Sequence, residues 1–372
     1  MDKQLLYAVA TMTGMIIGAG TLAIPYVVAK AGFFTGLLHI ILIGLFMLLL
    51  NLYVGEVILR TKQTHQLPGY AGVYLGKWGK MLMMFCGVIG SYAALTAYLI
   101  AEGNSLSALF GGSSFFYSLI FYLCIVSLVY SGIKTIEKSE LWFSVGKVAM
   151  LLLLCLLLIP FFKIKNLTLF SEEFFFLPFG TMLFAYIGAF AIPSVGEILV
   201  HKKKLMYKAV LLGSIIPIIT YILFAFFVVG SSGNNTTEVA TAGFGVFGYY
   251  LHIIGNLFAI LTMITAFLSI CLALIEMFHL DYKIDRRTSF VFTASVPLFL
   301  FLMGVKSFIK VLSVAGIATG ALGGILVILM YWKAQKTHDR VPEYVLKSPK
   351  FIGWSIIILF LFGSAWTLFT LF

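Results

Sequence analysis

The sequence predicts an all-α, polytopic membrane protein, and three observations support this prediction. First, 61% of the 372 residues are apolar and only 10% are charged, whereas a soluble domain has about 25% charged residues. Second, the chain contains a series of apolar segments of bilayer-spanning length. Third, the first and sixth of these segments contain similar stretches rich in glycine, each followed by proline, which is typical of a transporter built from two repeats.

The predicted spans follow one another closely and leave no room for a soluble domain. The first is too long for the apolar core of a signal peptide, and no small-residue cleavage site follows it, so we interpret it as a retained helix. The eleven predicted spans cover residues 5–30, 35–59, 81–109, 115–132, 141–162, 175–199, 207–230, 246–278, 289–304, 309–332 and 351–371.

The positive charges indicate an orientation in the membrane. The net charge is +11, but the cations lie between apolar spans and not in one patch, which favours a membrane protein over a nucleic-acid-binding protein. Twenty lysines and arginines fall on the side of the N-terminus and five on the other side. Cytoplasmic loops carry this excess. We therefore predict a plasma-membrane protein with a cytoplasmic N-terminus and an extracellular C-terminus.

Motifs for enzymatic or pump chemistry are missing from the sequence. There is no nucleotide-binding motif and no metal-ligand cluster, and the four cysteines lie in apolar segments without a CxxC pair. The sequence therefore predicts a protein that is not an enzyme, with no catalytic residues, no cofactor and no metal site.

The glycine-rich stretches "IIGAGTLAIPY" (16–26) and "YIGAFAIPSVGE" (186–197) form an internal repeat. They lie five spans apart, and this odd offset makes the second copy cross the membrane in the opposite direction. Glycine and proline are the poorest helix formers, so both spans are predicted to be discontinuous. Paired breaks point to a solute site at the bilayer midplane. Taken singly, either stretch is also explained by close helix packing.

Three segments carry a resemblance to a known family: "GMIIGAGTLAIPYVVAKAG" (14–32), "TAYLIAEGNSL" (96–106) and "YIGAFAIPSVGEILVHKKKLMYKAV" (186–210). They resemble the amino acid/auxin permease family, which includes the tyrosine/tryptophan permeases, within the amino acid–polyamine–organocation superfamily. The resemblance implies a LeuT-type fold: a five-helix repeat (1–165), an inverted five-helix repeat (166–333), and a linker with an eleventh helix (334–372).

The resemblance also implies a substrate site. The unwound first helix would hold the substrate carboxylate, carbonyls of the sixth-helix break would take the amine, an aromatic residue before that break would act as a lid, and a third-helix hydroxyl would reach the substrate. An ordinary packing tyrosine remains an alternative for that hydroxyl. The corresponding residues are Gly18, Ala19, Gly20 and Thr21; Ile187, Gly188 and Ala189; Phe184; and Tyr98.

For the coupling ion, the resemblance offers two possibilities. Sodium-coupled relatives place a hydroxyl pair of the eighth helix against first-helix carbonyls; Thr265 and Ser269 lie there, but Ala266 lacks one hydroxyl. Lys147 resembles a fifth-helix lysine of proton-coupled relatives, whose ammonium would bond the carbonyls near Ile17. A lysine that snorkels to the interface is the alternative. We expect a proton as the coupling ion more than sodium.

These observations predict a secondary transporter that imports neutral or aromatic amino acids by alternating access. A sodium-coupled symporter and a non-transporting receptor of the spore-germination type remain open alternatives. Glu102, an ionisable residue inside a span, is a further functional candidate. The expected partners are the amino acid and the lipid bilayer, without nucleic acid; the sequence does not indicate an oligomeric state.

Overall fold

The computed structural model describes residues 2–130, 136–168, 170–337 and 339–371, and its regular elements are all helical. Lys134, which contributed to the predicted charge bias, lies outside the described residues. The α-helices are α1 (Lys3–Ile16), α2 (Gly20–Ala31), α3 (Phe33–Arg60), α4 (Leu67–Phe110), α5 (Ser114–Tyr130), α6 (Ile136–Leu158), α7 (Leu177–Ala185), α8 (Ile192–Ile198), α9 (Met206–Ser232), α10 (Tyr249–Asp281), α11 (Arg286–Leu302), α12 (Phe308–Gly316), α13 (Gly323–Ala334) and α14 (Lys350–Leu371).

These helices account for the predicted spans. Within the described ranges, eight helices are long and apolar enough to cross a membrane, and the bent pair α1–α2 makes a ninth. The other two predicted spans correspond to α5 and α11, which have 17 residues each. This length is at the lower end of the range of about 17–25 residues for spanning helices.

One connection differs from its prediction. Residues 60–80 read as a polar loop, but the chain is helical from Leu67 onwards and is interrupted only at Gly76. Gly76 has a φ of 74°, which a residue without Cβ adopts readily. The search for apolar segments of bilayer length missed this part of the helix, because residues 67–80 precede the apolar segment that begins at residue 81.

The two ends of the helical bundle differ in charge. We call the end that carries Lys3, Arg60, Lys202 and Lys333 the basic end, and the other end the opposite end. At the basic end the N-terminal segment meets the start of α9, because Asp2 and Lys202 form an ion pair at 2.5 Å. At the opposite end, backbone hydrogen bonds join the α2–α3 connection to the segment before α7.

The helices pack in two groups around the breaks. The first group contains α1–α2, α3, α7–α8 and α9, which contact one another extensively, and the second contains α4, α5, α10 and α11. Helices α12 and α13 contact α3, α4 and α7, while α6 packs on α1, α9 and α10. The broken helices pack against α3, α6, α9 and α12, so their irregular backbone is surrounded by protein rather than by lipid.

A polar segment between α13 and α14, which we call the strap (residues 339–348), crosses the basic end. The Leu346 amide donates to Glu56 Oε2 at 2.6 Å, and the Tyr344 hydroxyl donates to the Leu52 carbonyl at 2.6 Å. Both acceptors belong to α3, so the strap is fastened to the end of the second span.

Glu56 is held by a cation as well as by the strap. Arg60, one turn further along α3, donates through Nε and Nη2 to Glu56 Oε1 at 2.8 and 2.7 Å. The Arg60 carbonyl accepts from the amides of Asp339 and Arg340. Glu56 is fully buried and Arg60 nearly so. Such a buried charge pair is tolerated because each carboxylate oxygen has a partner.

Candidate functional site

The first span is broken as predicted. Helix α1 ends at Ile16 and α2 begins at Gly20, and the two halves are bent by 53°. Ile17 leaves the helical region with φ −79° and ψ 82°. The carbonyls of Gly18 and Ala19 accept the first hydrogen bonds of α2. The break therefore consists of three residues between two regular half-helices.

The sixth span is also broken as predicted. Helix α7 ends at Ala185, and α8 begins at Ile192 after a short 3₁₀ turn over Ala189–Ala191. Pro193 lies in the first turn of α8, where a missing amide hydrogen costs no helical hydrogen bond. Thus the matching sequence stretches form matching structural breaks.

The two breaks pack directly against each other. A Cβ on Gly20 would lie 2.9 Å from the Ala185 Cα and 3.2 Å from Phe184 Cδ1. A Cβ on Gly188 would lie 2.5 Å from Met12 Cε and 2.9 Å from Asn51 Nδ2. At Gly20 the backbone of α7 leaves no space for a side chain, whereas at Gly188 a side chain would require the ends of Met12 and Asn51 to shift.

Gly18 differs from these two glycines. A Cβ there would have a single neighbour, the Met15 carbonyl oxygen at 4.0 Å, and Gly18 is partly accessible although it lies in the middle of its span. Gly18 therefore borders open space at the break. Ala19, Gly20 and Thr21 are buried.

Two of the predicted aromatic residues meet beside this break. Phe184 is half-buried and contacts Gly20, as described above. The ring of Tyr98, on α4, lies 6.4 Å from that of Phe184 in an edge-to-face arrangement. The structure thus brings together the first break, the predicted lid and the predicted third-helix tyrosine.

A second small space lies beside the sixth-helix break. It has a volume of about 20 Å³ and is lined in part by Ile187, Ala189, Phe190 and Asn51. Thr319, in a π-helical segment over Ile317–Leu322, lines its other side. This space holds about one water molecule, so an amino acid would enter it only if neighbouring side chains moved.

Two buried polar atoms near the breaks have no hydrogen-bond partner among the described residues. They are Asn51 Oδ1 and the Tyr186 hydroxyl. Asn51 uses its other side-chain atom, Nδ2, to donate to Ser214 at 3.2 Å. Unsatisfied buried polar groups are rare in proteins. Asn51 Oδ1 lies beside the sixth-helix break, whereas the hydroxyl end of the Tyr186 ring points towards Gly44 on α3.

The residues predicted to couple an ion lie on two different helices. On α10, the Thr265 hydroxyl donates to the Thr262 carbonyl and the Ser269 hydroxyl to the Thr265 carbonyl, both at 2.9 Å. Both hydroxyls are thus engaged within their own helix.

Lys147 lies on α6, the fifth span. Helix α6 begins at Ile136, but its apolar part begins at Phe143, so Lys147 lies about 6 Å of helix rise into that part. Ser144 on α6 is in tight contact with Gly14 on α1. Because spans one and five run in the same direction, and Lys147 and Ile17 each follow this contact by three residues, we expect Lys147 near the level of Ile17, a buried residue of the first break.

A comparison with known protein families identifies the family to which this chain belongs. The sequence model of the tryptophan/tyrosine permease family matches residues 1–370. The chain belongs to the tryptophan/tyrosine permease family. The predicted family resemblance is therefore confirmed, and the chain is an amino-acid transporter and not an enzyme.

Characterised relatives of this permease cover nearly the whole chain. "Glutamine transporter 2" of Aliivibrio fischeri is 23% identical over 370 residues, spanning 94% of this chain and 95% of the relative. "Tyrosine-specific transport system 1" of Haemophilus influenzae is 28% identical, spanning 90% of this chain and 89% of the relative.

A solved structure confirms the fold. MhsT, crystallised in complex with L-phenylalanine, aligns with a TM-score of 0.68 at 15% identity and covers 100% of this chain and 99% of its own. The permease thus has the predicted LeuT-type fold, with discontinuous first and sixth helices.

Glu102 of the permease lies near the site but outside it. It is one helical turn beyond Tyr98 on α4, towards the opposite end, and is only 1% exposed. Its Oε2 atom has no hydrogen-bond partner among the described residues. Further out, a cleft of about 470 Å³ is lined by Asn104, Glu238 and Lys306, among others.

Sequence reasoning missed two residues of the permease centre, Asn51 and Tyr221. Asn51 carried a usable signal, because an amide inside an apolar run such as "LLLNLYVG" is unusual in a membrane span. Tyr221 carried none, since it is one of 18 tyrosines and its neighbours in the sequence are ordinary apolar residues.

Proposed function

We propose that this permease imports neutral or aromatic amino acids by alternating access and uses a proton as the coupling ion. The observation that carries the proposal is the meeting of the two helix breaks, where Gly18 borders open space and Phe184 packs on Gly20. Backbone groups freed at such breaks can bind the carboxylate and the amine that all amino acids share.

The surroundings of the breaks support a neutral or aromatic side chain. Met12, Tyr98 and Asn51, which lie against or beside the breaks, are apolar or uncharged. On α4, the carboxyl group nearest to Tyr98 in the sequence is that of Glu102, one helical turn further along. The names of the relatives, which mention tyrosine and glutamine, and the L-phenylalanine bound to MhsT agree with uncharged substrates.

The position of Lys147 supports the proton as coupling ion. Lys147 is half-buried and lies one turn beyond Ser144, which contacts Gly14 of α1, so an ammonium there could hydrogen-bond carbonyls of the first break. A lysine with little access to water loses its proton more easily than one at the surface. The charged and neutral forms would then favour different conformations of the transporter.

Counterflow in proteoliposomes tests the transport part of the proposal. Proteoliposomes that contain the purified permease are loaded with unlabelled L-tyrosine. The entry of labelled L-tyrosine, L-phenylalanine, L-glutamine, L-lysine and L-glutamate into these proteoliposomes is then measured separately. We expect accumulation of one or more of the first three and none of the last two. Specific binding without accumulation would identify a receptor, and uptake of lysine or glutamate would contradict the substrate class.

An imposed pH gradient in sodium-free buffer tests the coupling ion. We expect the wild type to be driven by the gradient, and Lys147→Met to keep counterflow but lose that drive. The matched control is Lys208→Met, which removes the same charge from an exposed position in the first turn of α9. Uptake that requires sodium, or an unchanged pH response of Lys147→Met, would contradict proton coupling through this residue.

A further inference from the structure

Tyr221 connects the two helix breaks. It lies on α9 and is fully buried. Its hydroxyl lies 2.7 Å from the Ile16 carbonyl oxygen and 3.0 Å from the Ala185 carbonyl oxygen. Ile16 is the last residue of α1 and Ala185 the last residue of α7. One hydroxyl proton is therefore shared between the C-terminal ends of two half-helices.

This junction is electrostatically unusual. The C-terminal end of a helix carries a partial negative charge of about half an electron, so two such ends facing each other repel. In transporters with broken helices, carbonyls at these ends commonly coordinate a cation. Thr21 Oγ1 lies within hydrogen-bonding reach of the Tyr221 hydroxyl and is a third oxygen at this junction.

We propose that the Tyr221 hydroxyl takes the place of a coordinated cation at this junction and so makes substrate binding independent of sodium. The hydroxyl donates to the carbonyls that a cation would otherwise bridge, and the tyrosine ring fills the path from α9. Hard cations require several oxygen ligands around an open centre, and here the phenol oxygen occupies that centre.

Tyr221 is a positioning residue under this proposal. It holds the end of α1 against the end of α7. The first break follows the end of α1, and Phe184 directly precedes Ala185 at the end of α7. The inference deepens the proposed function and rests on it, because it concerns the same amino-acid site. It is separate from the role of Lys147, which approaches the first break from α6.

Tyr221→Phe tests the inference directly, because it removes one oxygen and keeps the ring. Affinity for L-tyrosine, L-phenylalanine and L-glutamine is measured by equilibrium binding to the purified protein, in sodium chloride and in N-methyl-D-glucamine chloride of equal ionic strength. Wild-type affinity should be equal in both media. In sodium-free medium Tyr221→Phe should lose about tenfold in affinity, as expected for unpaired buried carbonyls, and sodium should restore part of the loss.

The structure offers a matched control in Tyr186→Phe. The rings of Tyr186 and Tyr221 lie 5.1 Å apart, and both residues are buried. The Tyr186 hydroxyl has no hydrogen-bond partner among the described residues, so its removal leaves no carbonyl unpaired. We expect affinity within about twofold of wild type and no response to sodium, since nothing is left unsatisfied.

The outcomes separate the two proposals. If no amino acid of the panel binds the wild type, the proposed function fails and this inference fails with it. If the wild type binds equally in both media but Tyr221→Phe has the same affinity and the same indifference to sodium, only the Tyr221 inference is overturned. If Tyr221→Phe does not fold, the wild-type measurement still decides, because sodium-dependent wild-type affinity overturns the inference.

Discussion

Glu56 and Asn51 both place a polar side chain inside the second span, five residues apart, yet their surroundings differ. At the basic end, both oxygens of Glu56 are bonded, one to Arg60 and one to the strap amide of Leu346. At the breaks, Asn51 Oδ1 has no partner among the described residues, and two carbonyls share the single hydroxyl proton of Tyr221.

This difference distinguishes a polar group that stabilises the fold from a polar group that we expect to bind the substrate. A buried polar group without a partner costs about 1–3 kcal/mol, so a fold retains it where a ligand, water or moving element will satisfy it. The satisfied network at Glu56 is expected to hold the strap in place. The unsatisfied Asn51 Oδ1 at the breaks is expected to meet the substrate. Mutations in the two regions should therefore affect different measurements.

The largest effect on stability is expected from Glu56→Ala. The variant leaves Arg60 buried without its carboxylate and frees the strap, which should lower the free energy of unfolding by about 3–5 kcal/mol. Thermal unfolding in detergent measures this loss, and substrate affinity of the folded fraction should stay near wild type. The control is Glu343→Ala, because the Arg340–Glu343 pair is 25% and 19% exposed and should contribute about 1 kcal/mol or less. Equal losses in the two variants would contradict the comparison.

Valine substitutions at the two breaks should affect different properties: substrate affinity in Gly18→Val and stability in Gly188→Val. Gly18→Val projects into open space, so the protein should keep its stability and lose about 10- to 100-fold in substrate affinity, because the side chain occupies room used by the substrate. Gly188→Val meets Met12 and Asn51 and should lower the free energy of unfolding by about 1–3 kcal/mol. Normal substrate affinity in a folded Gly18→Val protein would show that the open space is not the binding site.

A smaller effect is expected from the predicted lid. Phe184→Ala removes the ring that contacts Gly20 and Tyr98, and it should reduce uptake about tenfold because the closed site then admits water. Phe190→Ala is the control, since the Phe190 ring, in the 3₁₀ turn of the sixth break, packs near Gly87 on α4 and not on Gly20, and its loss should change uptake less. The same uptake kinetics in both variants would argue against a lid at Phe184.

The smallest effect is expected at the N-terminus. Asp2 caps α1 by accepting from the Gln4 amide, and its pKa is lowered chiefly by the hydrogen bond from Lys202. Because the folded-state pKa lies below the ordinary value of 3.8, the stabilisation is present above that pH and is lost as the pH falls through the folded pKa. In Asp2→Asn, the free energy of unfolding should therefore fall slightly less steeply as the pH is lowered through this acid range. An unchanged acid limb in Asp2→Asn would show that the ion pair has no measurable effect in solution.

The sequence by itself determined the order of the spans, the two broken helices and the family. These features are local: bilayer-length apolar runs, glycine and proline inside them, and a repeated stretch five spans later can each be read without knowing which helices touch. The helical start at Leu67 was missed because it precedes the apolar run.

Only the tertiary structure decided what the residues at the breaks do. Gly18, Gly20 and Gly188 look equivalent in the sequence, yet one borders open space and two are packed against neighbouring helices. Tyr221 lies 205 residues from Ile16 and 36 from Ala185, and it joins them because α9 packs on both α1 and α7–α8. Hydropathy and helix propensity act over a few neighbouring residues, whereas the partner of a buried carbonyl depends on which distant helix the whole packing brings within about 3 Å.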